Sequence, residues 1–246
     1  MSKVHANPTQ QLLNDSFIRE YVNRDGELFL REAADLQFLV KFLTHGCGET
    51  CAIPLSNGTI PGEIVRRLVL APHITTNLVS DPRSVIAALM GALANHDAFI
   101  ELEVNSSWVD AMEMVTPLRT RENNDWPWEL KISKWDRPAE VRWPVVSFPV
   151  LEQVSHLYIP NACPTAVVHW KAFKRVTILD VNENLFNEIE INKVGMRYLR
   201  KVVLHRRYGE VHYPDRDTMQ SFYKANISIF ATVTGSPGLV QFTDIA

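Results

Sequence analysis

Near residue 98 the apolar positions change period, and this restricts the fold more than any other feature of the chain. Upstream they recur at helical spacing in Leu12, Leu13, Phe17, Ile18, Tyr21 and Val22. After a break at Asp25-Gly26 they do so again in Phe29, Ala33, Leu36, Leu39, Val40 and Leu43. Two amphipathic helices joined by a short turn are expected. Asp81 before Pro82 supplies an N-cap acceptor and a fixed first-turn φ, and Val85, Ile86, Leu89, Met90 and Leu93 then line one helical face. A shorter helix is expected from Glu63 to about Leu70, after Pro61-Gly62. From Phe99 the period is two: Phe99, Glu101 and Glu103 alternate in direction with Ile100, Leu102 and Val104, so a strand begins.

Residues 105–149 hold Trp108, Trp126, Trp128, Trp135 and Trp143 together with Pro117, Pro127, Pro138, Pro144 and Pro149. Each proline removes a backbone donor, which argues against a long helix or a central strand there. Apolar and β-branched runs then dominate at Val145-Val146, Ala166 to Trp170, Val176 to Val181, Ile189 to Ile191, Leu199 to Leu204, Ile227 to Val233 and Leu239 to Phe242. Turn residues separate them at intervals typical of antiparallel sheets. The expected class is α+β, with a helical region at 1–104 and a mainly antiparallel β region with long Trp/Pro-rich loops at 105–246, or one continuous domain over 1–246. No internal repeat and no low-complexity tract stand out.

The composition, 46% hydrophobic and 22% charged, is that of a packed protein and excludes a disordered tail or a disulfide miniprotein. Met1 to Asn14 is polar, no apolar run approaches the length of a membrane helix, and the three cysteines cannot all pair within one chain. These features point to a cytoplasmic protein with no membrane partner.

The net charge of −3 comes from 25 basic and 28 acidic side chains, which excludes a surface built as a whole to hold polyanions. The balance is uneven. Lys193 to Arg216 carries seven basic residues against two acidic ones, within an otherwise acidic chain. There Arg197, Arg200, Lys201, Arg206 and Arg207 supply charge that phosphates require, and Tyr198, Tyr208 and Tyr213 supply rings for base stacking. On a strand over 199–205, Leu199, Lys201, Val203 and His205 share one face and Arg200, Val202, Leu204 and Arg206 the other. The competing reading is a solvated hairpin whose arginines pair with acidic residues elsewhere.

Arg66 and Arg67 lie in Thr59-Ile60-Pro61-Gly62-Glu63-Ile64-Val65-Arg66-Arg67-Leu68, read as a turn into a helix whose free N–H groups can receive a phosphate. This stretch resembles the Ile-Pro-Gly turn and Arg-bearing helix of the repeat-associated RNA-binding subunits of CRISPR effector complexes. It departs from that pattern at Glu63 and Ile64, where small hydroxyl residues are expected. The chain also lacks the family's opening β-strand and the Gly-rich loop of the RNA-processing nucleases. The resemblance therefore implies a non-catalytic subunit of an RNA-guided DNA-targeting complex with a role in antiviral defence.

Other constellations compete. Cys47, Cys51, Cys163 and His169 form a possible Cys3His zinc shell, although the Cys-x3-Cys spacing is less usual and free cysteines commonly serve as small buried hydrophobes. Asp110, Glu129 and Lys131 are the residue types of a metal-dependent nuclease. Glu101 and Glu103 share a strand face and are either cation ligands or an exposed pair. His205 and His212 are candidate general bases without an identifiable partner, and no phosphate loop, dinucleotide fingerprint or Gly-x-Ser-x-Gly elbow is present. The loops around Trp126-Pro127-Trp128 and Lys134-Trp135-Asp136-Arg137, with Arg119 and Arg121, either stack on nucleic acid or fill the space between helices and sheet.

The leading expectation is a non-enzymatic subunit that contacts RNA and/or DNA and other protein subunits. Its contacts would be Arg66, Arg67, Arg119, Arg121, Arg197, Arg200, Lys201, Arg206, Arg207 and Tyr208, with no catalytic residue, metal or cofactor assigned. The alternatives are the metal-dependent nuclease and a structural assembly protein, of a virus or secretion machine, whose basic patch meets an acidic partner.

Overall fold

The structure is a computed structural model that describes residues 20–44, 64–94, 98–118, 127–138, 140–163, 165–187, 189, 196–206, 216–233 and 239–241. Its framework is a short apolar phrase that recurs along the chain, in which an anchor is followed three and five residues later by two further apolar side chains. The phrase occurs as Val65, Leu68 and Leu70; Phe99, Leu102 and Val104; Val154, Leu157 and Ile159; Val176, Leu179 and Val181; and Leu199, Val202 and Leu204, all of them buried. The last two positions of each phrase are two apart on a strand and therefore point to one side of it.

The phrases fall on five strands (β2, β3, β5, β6 and β7) of a single sheet that has nine among the described residues: β1 (Glu27–Leu30), β2 (Arg67–Leu70), β3 (Glu101–Asn105), β4 (Trp128–Lys134), β5 (Val154–Ile159), β6 (Ile178–Asn182), β7 (Lys201–Arg206), β8 (Ser228–Val233) and β9 (Leu239–Gln241). The strands stand side by side in chain order. All neighbours from β1 to β8 are parallel, and β9 runs antiparallel to β8.

A parallel neighbour requires the chain to travel back to the starting end of the sheet before each new strand. The described return paths include α1 (Ala33–Thr44), α2 (Pro82–Ala94), α3 (Ser106–Asp110), α4 (Glu183–Asn187), α5 (Arg216–Lys224) and one-turn 3-10 helices such as Leu151–Gln153 and Trp170–Ala172. From β3 onward the same inward position, occupied by Leu102, Leu130, Leu157, Leu179, Val202 and Ile229, recurs every 22 to 28 residues. One strand and one helical or 3-10 return per coil stacks the chain as a solenoid, each coil laid against the one before it.

Polar stitches join the coils. At the end of β3, fully buried Asn105 donates to the carbonyls of Pro72 (2.9 Å) and Ile74 (3.2 Å) in the preceding coil. Asn182 at the end of β6 donates to Ala162 (2.7 Å) and accepts from the Leu185 amide (2.9 Å). Indole N–H groups do the same work: Trp108 bonds Ile74 (2.8 Å) and Trp143 bonds Ser106 (2.8 Å). Asp136, after β4, caps α3 through Ser106 Oγ and the Ser107 amide and hydroxyl. Each bond satisfies a polar group that burial would otherwise leave without a partner.

Several expectations are corrected. The α+β arrangement of a helical third followed by an antiparallel region is replaced by one parallel sheet with interleaved helices, because β1 and β2 lie inside the supposed helical third. Phe29 belongs to β1, and the segment expected to be helical to Leu70 contains β2. The apolar phrase contains an i, i+3 step, so locally it imitates a helix. It also recurs on five strands, which corrects the expectation of no internal repeat. The Trp/Pro-rich stretch does contain a central strand, β4, since Pro127 and Pro138 fall outside it. Val145-Val146 forms no strand, and Ala166 to Trp170 contributes an isolated parallel bridge between Val168 and Trp143 and the first residue of the Trp170–Ala172 3-10 helix. The Asp81-Pro82 helix is present as α2, with the Asp81 carboxylate accepting from the Ser84 amide (3.2 Å). The runs at 99–104, 176–181, 199–204, 227–233 and 239–242 all contain strands.

Candidate functional site

With one set of strand side chains in the core, the alternate set forms an outer face. Register aligns it in two rows. One reads Glu27, Arg67, Glu101, Glu129, His156, Ile178, Lys201 and Ser228; the other Phe29, Val69, Glu103, Lys131, Tyr158, Asp180, Val203 and Phe230. Each coil thus contributes one side chain to each row, at the strand spacing of about 4.8 Å.

The first half of the face is organised around Arg67. Its guanidinium pairs with Glu27 (2.6 Å), Glu101 and Glu103, and Lys131 pairs with Glu101 (2.9 Å). Burial works against the Arg67 charge, but Glu101, Glu103 and Glu27 outweigh it and hold its pKa above the ordinary value. The second half is organised around Asp180. One carboxylate oxygen bonds Nε2 of His156 (2.6 Å) on β5 and the other bonds Nε2 of His205 (2.8 Å) on β7. Burial raises the Asp180 pKa, yet these two hydrogen bonds and the histidine charges more than offset it and leave the group below the usual carboxylate range. His156 Nδ1 lies 3.5 Å from Glu129, and the Tyr158 ring meets His205 edge-on at 5.1 Å. Burial, then Asp180 and Glu103, push the Tyr158 hydroxyl pKa upward. At the far end Lys201 sits 4.8 Å over the Phe230 ring.

The face ends at β1 in a cavity of about 680 Å³ bounded by residues that include Tyr21, Glu27, Phe29, Arg31, Glu32 and Asp35. The Tyr21 hydroxyl donates to Asp35 (3.2 Å), and the Arg31 guanidinium lies 5.9 Å from the Phe29 ring centre.

The residues singled out for nucleic acid are not assembled into one surface. Arg67 is engaged by three carboxylates. Lys201 is half-buried over Phe230. Arg66 before β2 and Arg197 and Arg200 before β7 are exposed, and Tyr198, next to Arg197, is 55% exposed. Arg206 ends β7, where its backbone pairs with Val233. Arg119, Arg121, Arg207 and Tyr208 lie outside the described residues, as do Trp126, His212, Tyr213, Cys47 and Cys51.

Cys163 meets the Thr165 hydroxyl (3.4 Å), which lowers its pKa. Burial, then Arg142 and Lys171, hold the His169 pKa below the ordinary histidine value. Among the described residues no group of three or more His, Cys, Asp or Glu is arranged to hold a metal ion. Asp110 follows β3 and binds Arg137 (2.8 Å) and the Val145 amide (2.8 Å), whereas Glu129 and Lys131 belong to the outer face, so these three are engaged in separate networks. Trp108, Trp128 and Trp143 are fully buried, and Trp135 packs edge-on against Trp143 at 5.2 Å.

Glu27, His156, Tyr158 and Asp180 are absent from the sequence-based candidates. Their signal is a residue enclosed between two core positions, as in Leu157-Tyr158-Ile159 and Leu179-Asp180-Val181, or the residue just before such a pair, as His156 is before Leu157. Once the parallel register is known, these residues fall into line across the sheet.

Among the described residues no helix is long and apolar enough to cross a membrane. Comparison with known protein families, curated protein sequences and solved structures finds no match to this chain.

Proposed function

We propose that the chain is a non-enzymatic recognition scaffold of a larger assembly, docking a protein partner on the outer face of its parallel sheet. The observation that carries this reading is that every strand from β1 to β7 sets at least one polar side chain in the two rows, from Glu27 on β1 to Lys201 on β7, ordered by backbone register and reaching solvent, as in the 39% exposed Glu129 side chain. Solenoids use such extended sheet surfaces for binding. Both oxygens of Asp180 are taken by histidines and Arg67 is shared among three carboxylates, an arrangement suited to holding side chains in place. The test is quantitative recovery of copurifying proteins with the full chain. Glu129→Lys and His156→Ala are expected to deplete a partner that Arg200→Ala retains, and equal recovery by all variants overturns the reading.

A second reading, contact with nucleic acid in an RNA-guided complex, draws support from the exposed Arg197, Tyr198 and Arg200 before β7. It puts phosphates at the residues leading into β7, several strands from the carboxylates on β1, β3 and β4. Oligonucleotide affinity that falls steeply with salt and is lost in Arg197→Ala/Arg200→Ala supports it; affinity unchanged in that variant removes it.

A further inference from the structure

Resting on the scaffold reading above, we infer that the partner is a basic polypeptide segment that crosses the strands in extended form and seats an arginine or lysine side chain in the cavity at β1. The cavity combines the carboxylates of Glu27, Glu32 and Asp35 with the rings of Tyr21 and Phe29. Carboxylates and aromatic faces together are the chemistry that recognises an organic cation. The protein already places a cation at one of these rings, since the Arg31 guanidinium lies near Phe29. A volume of about 680 Å³ admits a guanidinium or ammonium side chain with its flanking backbone.

The rows beyond the cavity continue the same preference. Glu27, Glu101 and Glu103 share Arg67, and each carboxylate keeps further acceptor sites because one oxygen pair offers about four. Glu129, the most exposed acid of the face, has the His156 ring at 3.5 Å and a free side toward solvent. From β1 to β4 there are three strand steps, about 14 Å at the usual strand spacing. An extended chain covers that distance in about four residues. A segment with cations at positions i and i+4 therefore reaches the cavity and Glu129 together. A polyanion lying along the same path would meet carboxylates at β1, β3 and β4, and the cations there, Arg67 and Lys131, are already paired with Glu27, Glu101 and Glu103.

The experiment is fluorescence anisotropy of labelled deca-arginine and deca-glutamate with the full chain at about 0.1 M salt, where attraction beyond about 10 Å is screened. Deca-arginine is expected to bind and deca-glutamate not. Asp35→Asn and Glu129→Gln, each checked for an unchanged melting temperature, are expected to weaken binding about tenfold together. Glu140→Gln, at an exposed position after β4, is expected to leave it unchanged. Arg31→Ala empties the Phe29 ring and is expected to strengthen binding several-fold, while Arg83→Ala, an equal loss of charge at a surface pair with Glu113, has no such effect. Equal responses to the paired substitutions reveal generic attraction and overturn the inference, as does absence of deca-arginine binding. If deca-arginine fails while Glu129→Lys still depletes the copurifying partner, the scaffold stands and the basic class is wrong. If the partner ignores Glu129→Lys while deca-arginine binds as expected, the cavity stands and the scaffold reading fails.

Discussion

Gly26 shows how much a single residue decides at the start of the sheet. Its φ of +79° is a conformation that side chains rarely adopt, and a Cβ there would run into the Ile64 carbonyl oxygen. Its own carbonyl accepts the Arg66 amide (2.8 Å) and the Arg67 amide (3.2 Å), so this turn joins β1 to β2. Gly26→Ala is expected to destabilise the protein by more than about 1 kcal/mol in urea titration, and a neutral effect would show that the turn can relax.

Asp180 carries a pH signature. Its pKa is depressed in the fold, so it contributes stability that is fully present above the unfolded carboxylate value of about 3.9 and is lost as pH falls through its own lower value. The stability gap between the wild type and Asp180→Asn is therefore expected to be wide at neutral pH and to close in strong acid. A gap that stays constant with pH would mean that the histidine contacts give the carboxylate no advantage. Arg67→Met is expected to cost about 1–3 kcal/mol, allowing for the one-third exposure of the side chain, because three carboxylates then face one another. Added salt should reduce that cost.

Individual elements owe their places to neighbours rather than to themselves. Trp143→Phe keeps most of the packed ring but leaves the Ser106 carbonyl without its indole donor, an expected loss of about 1–3 kcal/mol measured by chemical denaturation. This dependence also explains what is legible in the sequence. The helix after Asp81-Pro82 announces itself through its cap, the strand at β3 through its period of two and those at β6 to β9 through apolar and β-branched runs, all local signals. Strand direction is not local, and nothing within Val176 to Val181 distinguishes a parallel neighbour from an antiparallel one. For Phe29 and for Val65, Leu68 and Leu70 the i, i+3 spacing fits either element, and tertiary pairing decides in favour of the strand. The candidate site is harder still. Glu101, Glu103, Glu129, Lys131 and His205 stand out singly in the sequence, but what gives them meaning is their alignment across coils that are far apart along the chain.

At the scale of the molecule, a stack of coils divides its stability among neighbours, because each coil touches mainly the one before and the one after. Native-state hydrogen exchange is expected to find the slowest amides in β3 to β6, flanked on both sides, and faster opening toward β1 and toward β8 and β9. Uniform protection across all strands would instead indicate a single cooperative unit.

The parallel register has a further consequence. Because every coil adds one residue to each row, the outer face works as a ruler graduated in strand spacings of about 4.8 Å. Loss or duplication of one whole coil would move the Asp180 mark relative to the Arg67 mark by a single graduation and leave the chemistry of each mark intact. A surface of this kind can change the spacing it measures without changing the groups it reads.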